Sequence, residues 1–143
     1  MKKLFLLAAL ILSLTAVNAQ NAVGVRLGFG GELSAQFGKG GGRIEGDLGL
    51  FPHNTNVTVE YQLVNNLSDG FKWYYGGGGT LGLWDVAPTG VSIGAVGALG
   101  LEYNFSFPIQ VSIDYRPTIY LVRAGGIDVL DLSGVGFGIR YRF

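Results

Sequence analysis

Cysteine is absent from the 143-residue chain, histidine occurs once, and charged side chains make up only 14% of it. Without cysteine there is no disulfide framework, no thiolate nucleophile, no thiolate metal site and no lipidated cysteine. A single histidine, His53 in Phe51-Pro52-His53-Asn54-Thr55, has no serine or acid signature beside it. A catalytic triad or a dedicated zinc or copper site is therefore not expected, and the chain is read as a non-enzyme without cofactor or metal. The formal net charge is zero, with ten basic and ten acidic residues, so no electrostatic footprint for nucleic acid is present. Beyond residue 19 no window carries a long helical stripe. Glycine, by contrast, is plentiful, with 25 residues, and 48% of the chain is hydrophobic. One domain with a large apolar surface fits these values.

The first residues read as an address. Met1-Lys2-Lys3 is a basic start, Leu4 to Val17 an apolar run too short to span a bilayer, and Val17-Asn18-Ala19 a plausible cleavage region. Residues 1–19 are thus expected to be a signal peptide, and residues 20–143 the folded domain.

From Gln20 onward the hydrophobic period is two, in stretches of about 8 to 16 residues. Val23, Val25, Leu27 and Phe29 alternate with glycine and Arg26, and Leu33, Ala35 and Phe37 resume the phase after Gly30-Gly31-Glu32. A three-residue connection at 30–32, pairing Phe29 with Leu33, predicts a hairpin that keeps both apolar sets on one face; one long strand over residues 22–38 is the rival reading. Further alternating stretches run through Ile44 to Leu50, Val57 to Leu63, Phe71 to Leu83, Val91 to Phe105, Ile109 to Tyr115 and Val135 to Phe143. With the hairpin this makes eight strands. The run Gly76 to Gly79 falls where a small barrel needs tight curvature.

The placement of charge decides which side faces which solvent. Arg26, Arg43, Glu45, Asp47, Glu60, Lys72, Glu102, Asp114, Arg116, Arg140 and Arg142 all fall on the phase opposite the apolar one. Glu32, Lys39, Asp69, Asp85, Arg123, Asp128 and Asp131 are assigned to turns and loops. A soluble barrel turns its charges to water, whereas on a lipid face one Arg or Lys costs about 2 to 4 kcal/mol at the bilayer midplane. Backbone groups in lipid must pair internally, so the sheet has to close. The expectation is an all-β, eight-stranded antiparallel up-and-down transmembrane β-barrel. Its near-balanced inner charges would pair into a plugged lumen. An even strand number puts both termini in the periplasm, and Phe37, Phe71, Trp73, Tyr103 and Phe105 then form an aromatic girdle on that side.

The last strand carries the most specific motif. Gly136-Phe-Gly-Ile-Arg-Tyr-Arg-Phe143 resembles the carboxyl-terminal targeting strand of outer-membrane barrels, with Phe137, Ile139, Tyr141 and Phe143 on the apolar phase. With Leu101-Glu-Tyr-Asn-Phe-Ser-Phe-Pro108 and Ser112-Ile-Asp-Tyr-Arg-Pro117, the chain resembles the small outer-membrane β-barrel domain family of the OmpA/OmpX type. That resemblance implies a monomer in the bacterial outer membrane, assembled by machinery that reads those four residues, with lipid and lipopolysaccharide as partners. It implies a structural or interaction role. The periplasmic peptidoglycan-binding domain of larger members is not expected after Phe143, and the short loops speak against an adhesin. Alternatives are a narrow ion or small-solute channel and a lipid-modifying enzyme that would use His53.

Overall fold

The alternating pattern forms strands throughout the computed structural model, which describes residues 21–28, 30–51, 54–84, 90–122 and 129–143. The strands are β1 (Ala22–Leu27), β2 (Gly31–Lys39), β3 (Gly42–Phe51), β4 (Asn54–Ser68), β5 (Phe71–Trp84), β6 (Gly90–Asn104), β7 (Ile109–Tyr115), β8 (Thr118–Val122), β9 (Leu130–Asp131) and β10 (Val135–Arg142). All pairings are antiparallel. Each strand from β1 to β6 pairs with the next, and β10 pairs with both β7 and β1, so the described strands close into a ring. Beyond Arg116-Pro117, β8 continues the line of β7 along β6, and β9 continues that of β10 along β8. The wall is therefore a closed, up-and-down barrel of eight strands. The predicted leader, His53, Asp85, Arg123 and Asp128 lie outside the described residues.

The stagger of the wall follows from its register. In one direction Arg140 leads through Gly24, Ser34, Asp47, Thr58 and Thr80 to Gly94 of β6. In the other it leads through Gln110 to Asn104 of the same strand, ten positions from Gly94. Eight strands with a shear of ten tilt by about 40° and enclose a backbone radius of about 8 Å. Such an interior is filled by side chains.

The first hairpin corrects the sequence reading in one respect. Two strands are present, not one, but the three-residue connection is 28–30, because Leu27 pairs with Gly31 and Val25 with Leu33. The shift leaves every residue on its expected face. It brings Glu32 out of the turn and into β2, opposite Arg26. Asp131 likewise belongs to β9, and Lys39 is the last residue of β2, beside the 40–41 turn. Two short turns hold the opposite end: Gly40 (φ 70°) between β2 and β3, and Asp69-Gly70 (φ 78° at Gly70) between β4 and β5. Positive φ suits glycine in two-residue hairpins. In the glycine run, a methyl group at Gly78 would stand 1.8 Å from the Val59 carbonyl oxygen, so β4 and β5 approach there as only glycine permits.

The two faces have opposite chemistry. Val25, Leu33, Ile44, Val59, Leu81, Ile93, Leu99, Ile113, Phe137 and Ile139 are among the large apolar side chains exposed on the exterior. Lys39 apart, no Asp, Glu, Lys or Arg in a described strand falls on that phase. Inside, the largest fully buried side chains among the described residues are Arg140, Tyr74, Gln36, Gln62, Glu45, Glu60 and Ser34. The barrel has a polar core and an apolar skin.

Candidate functional site: the lumen

The lumen is built from every strand, since each contributes the polar half of its alternation. Arg26, Arg43, Glu45, Asp47, Glu60, Glu102, Asp114, Arg116 and Arg140 are buried, while Lys72 and Arg142 are half-buried nearer one end. Arg116 stands at the centre of the acidic groups. Its Nη1 donates to Asp47 Oδ2 at 2.6 Å and its Nη2 to Glu45 Oε1 at 2.7 Å, while its Nε lies 3.2 Å from Glu60 Oε1. Strand β3 lies diametrically opposite β7 in the wall, so these bonds cross the whole interior.

Around them runs a continuous network. Arg140 donates to Glu45 Oε1 at 2.5 Å, to Ser34 Oγ at 2.9 Å and to Ser112 Oγ at 2.8 Å. Gln36 donates to the second oxygen of Glu45 at 2.8 Å. Arg26 grips Asp114 through Nε and Nη2 at 3.0 and 2.6 Å and reaches Glu32 at 2.9 Å. Tyr74, fully buried, donates to Asp114 at 3.2 Å, and its ring carries the Arg43 guanidinium 4.4 Å above its centroid. Arg43 also donates to Gln62 at 2.7 Å and to Glu102 at 2.5 Å. Planar guanidinium groups shared among several carboxylates pair most of the buried charge, although Arg43 Nη2, Asp47 Oδ1, Glu60 Oε1 and Arg116 Nε lack a hydrogen-bond partner.

This network lies between two cavities that share no lining residue. The cavity at the end away from the termini, about 490 Å³, is bounded by Arg26, Glu32, Asn54, Asn56, Trp84 and Tyr120 among others. The other, about 420 Å³, opens beside the termini and is bounded by Arg43, Lys72, Glu102, Gln110 and Arg142 among others. Among the described residues, no group of three or more His, Asp and Glu could hold a metal ion. No helix there is long and apolar enough to cross a membrane, which says nothing about a barrel.

The predicted aromatic residues gather at the end that carries the termini. Phe71 meets Tyr103 at a tilt with 4.6 Å between ring centroids, Tyr103 meets Phe105 edge-on at 4.8 Å, and Trp73 lies 5.3 Å from Tyr75. Phe37 is on the same exterior face of β2. The terminal strand places Phe137, Ile139, Tyr141 and Phe143 on the exterior, with Tyr141 and Phe143 stacked at 6.5 Å. Sequence reasoning missed Glu32, whose burial depends on the position of one turn. It also missed Tyr74 as a member of the buried network, and Phe107, which stacks on Phe105 at 4.9 Å.

No known protein family and no curated protein matches the chain. Among solved structures, the barrel is similar to Neisserial surface protein A, with a TM-score of 0.62 over 87% of this chain and 94% of that one, at 15% sequence identity. At that identity the likeness concerns the fold alone: a closed, eight-stranded antiparallel barrel.

Proposed function

We propose that this chain is a bacterial outer-membrane β-barrel of the OmpA/OmpX kind, with a structural or interaction role and no catalytic turnover. The observation that carries the reading is the inversion of polarity, with buried ion pairs at the centre and an apolar exterior almost free of charge. In water this arrangement would leave dozens of apolar side chains unburied while paying the desolvation of many charges. In a bilayer both halves of it are favourable. The likeness to a protein named for its surface location agrees with this reading.

In the same reading the end with the termini faces the periplasm, where its aromatic cluster meets the lipid headgroups. Lipid and lipopolysaccharide contact the skin, and the assembly machinery engages Phe137, Ile139, Tyr141 and Phe143. The plug closes the lumen to ions. Two measurements test the proposal on purified full-length protein. It should be extracted only with detergent and run on unheated gels as a compact, heat-modifiable species; extraction by buffer alone would remove the membrane assignment. In planar bilayers it should be silent, and discrete single-channel steps would establish the narrow channel instead. An altered lipid A or phospholipid profile on overexpression, abolished by His53→Ala, would establish the enzyme.

A further inference from the structure

The plug is not electrically uniform along the barrel. Toward the end away from the termini, Arg26, Arg116 and Arg140 face Glu32, Glu45, Asp47, Glu60 and Asp114, three cations against five carboxylates. In the cavity beside the termini the balance reverses: Arg43, Lys72 and Arg142 share the side-chain carboxylate of Glu102 alone. That carboxylate is already occupied, accepting from Arg43 through Oε2 and from Asn104 through Oε1. Lys72 stands directly across the ladder from Glu102 and yet has no ion pair among the described residues. Arg142 donates only to the backbone carbonyls of Phe105 and Phe107.

Among the described residues, ten buried side-chain atoms have no hydrogen-bond partner; five belong to residues lining this cavity and three to residues lining the other. Asn21 Oδ1, Arg43 Nη2, Asn104 Oδ1, Gln110 Oε1 and Arg142 Nε are the five in the cavity beside the termini. Asn21, Arg43 and Gln110 are more than nine-tenths buried. Buried polar groups are normally paired, and here two of the unpartnered groups are cationic guanidinium nitrogens, which suit an incoming anion. Asn21 and Gln110 make no other side-chain hydrogen bond, so either amide is free to rotate and present its NH2 group.

We propose that this vestibule binds a small phosphorylated molecule. A phosphate group would take donors from the guanidinium groups of Arg43 and Arg142 and from the Lys72 ammonium, with Asn21 and Gln110 completing its shell. Guanidinium forks suit phosphate oxygens, and the excess of cationic side chains in this cavity favours an anionic group. At about 420 Å³ the cavity has room beyond one phosphate, in the range of small-molecule sites, and Gln36, Asn104 and Ser106 offer hydrogen bonds to a hydroxylated remainder. The chemistry is shared by a free phosphate ester and by a lipid headgroup reaching round the rim. This proposal concerns the lumen of the folded barrel and does not depend on its cellular location.

The test is calorimetric titration of the full chain in uncharged maltoside micelles with inorganic phosphate and with glycerol 3-phosphate, the ¹⁵N shift of Arg142 Nε being followed in parallel. Saturable binding with a shift of that nitrogen is expected, tighter for the ester, and weakened roughly tenfold by Lys72→Gln or by Arg142→Gln. Thr80→Val, in the wall of the other cavity, should leave affinity unchanged. Each variant is scored only if it keeps the heat-modifiable fold; Lys72, half-buried and unpaired, should do so. If the soluble probes fail but phosphatidylglycerol added to the micelles moves the Arg142 signal, the source is a headgroup. No response to any of the three, or binding by both site variants as tight as by the unsubstituted chain, overturns the proposal.

Discussion

Leu99 offers a measurement whose sign depends on the solvent at the barrel wall. It is 54% exposed on the exterior of β6, four residues from the girdle residue Tyr103. A strand tilted by about 40° advances about 2.6 Å per residue along the barrel axis, which sets Leu99 about 10 Å inside the girdle. The apolar band of such barrels is about 25 Å tall, so the position is close to its middle. Replacing Leu99 by Arg there should cost about 2 to 4 kcal/mol, a factor of roughly 30 to 900 in the folding equilibrium. If the same surface faced water, an exposed Leu→Arg change would fall within about 0.5 kcal/mol of zero. Reversible urea unfolding in phospholipid vesicles, followed by tryptophan fluorescence, separates the two cases. Leu99→Ala serves as the reference for lost side-chain area. An unfolding midpoint for Leu99→Arg equal to that of the Ala variant would refute the assignment of lipid to the exterior. Ala98→Arg, on the inward phase, should fail differently, by overfilling a packed lumen.

Further expectations follow from single residues. Arg116→Met leaves Glu45, Asp47 and Glu60 without their shared cation and should destabilise the barrel by about 3 to 5 kcal/mol in the same urea assay, with Arg116→Lys recovering only part because it cannot fork between two carboxylates. Gly78→Val drives a side chain into the Val59 carbonyl and should abolish the heat-modifiable form, whereas Gly79→Ala, whose methyl group would lie 3.7 Å from its nearest neighbour, should keep it. Tyr141→Ala combined with Phe143→Ala should slow assembly in cells, read as loss of the protein from the membrane fraction, while leaving refolding from urea into detergent little changed.

Much of the wall was legible because one face of each strand meets a single kind of solvent. Val57, Val59 and Tyr61 alternating with Thr58, Glu60 and Gln62 fix both the strand and its facing, and a slip by one residue would turn Glu60 outward. The turn of the first hairpin was harder, because Gly28, Gly30 and Gly31 allow two connections of equal length and equal parity. The pairing of Arg26 with Glu32 distinguishes them, and that contact exists only in the folded wall. Strand β8 was missed because Pro117 interrupts the alternation, although Thr118 resumes the inward phase behind it. The partners inside the lumen were not legible at all. Arg116 and Glu45 are 71 residues apart, and their meeting depends on the shear of the closed cylinder, which no local pattern encodes.

The bonds from Arg116 to Asp47 and Glu45 tie the third strand to the far wall. A nascent sheet of four or five strands could not make them, and in the proposed bilayer setting its arginines would be left naked while the chain crosses hydrocarbon. Insertion by successive hairpins is therefore penalised, and the cheapest route keeps the ribbon curled around its own wet contents until the last seam joins. The cross-bracing then works as a latch: a thermal gap between neighbouring strands cannot widen without tearing ions from one another, so the cylinder should persist or fail as a whole.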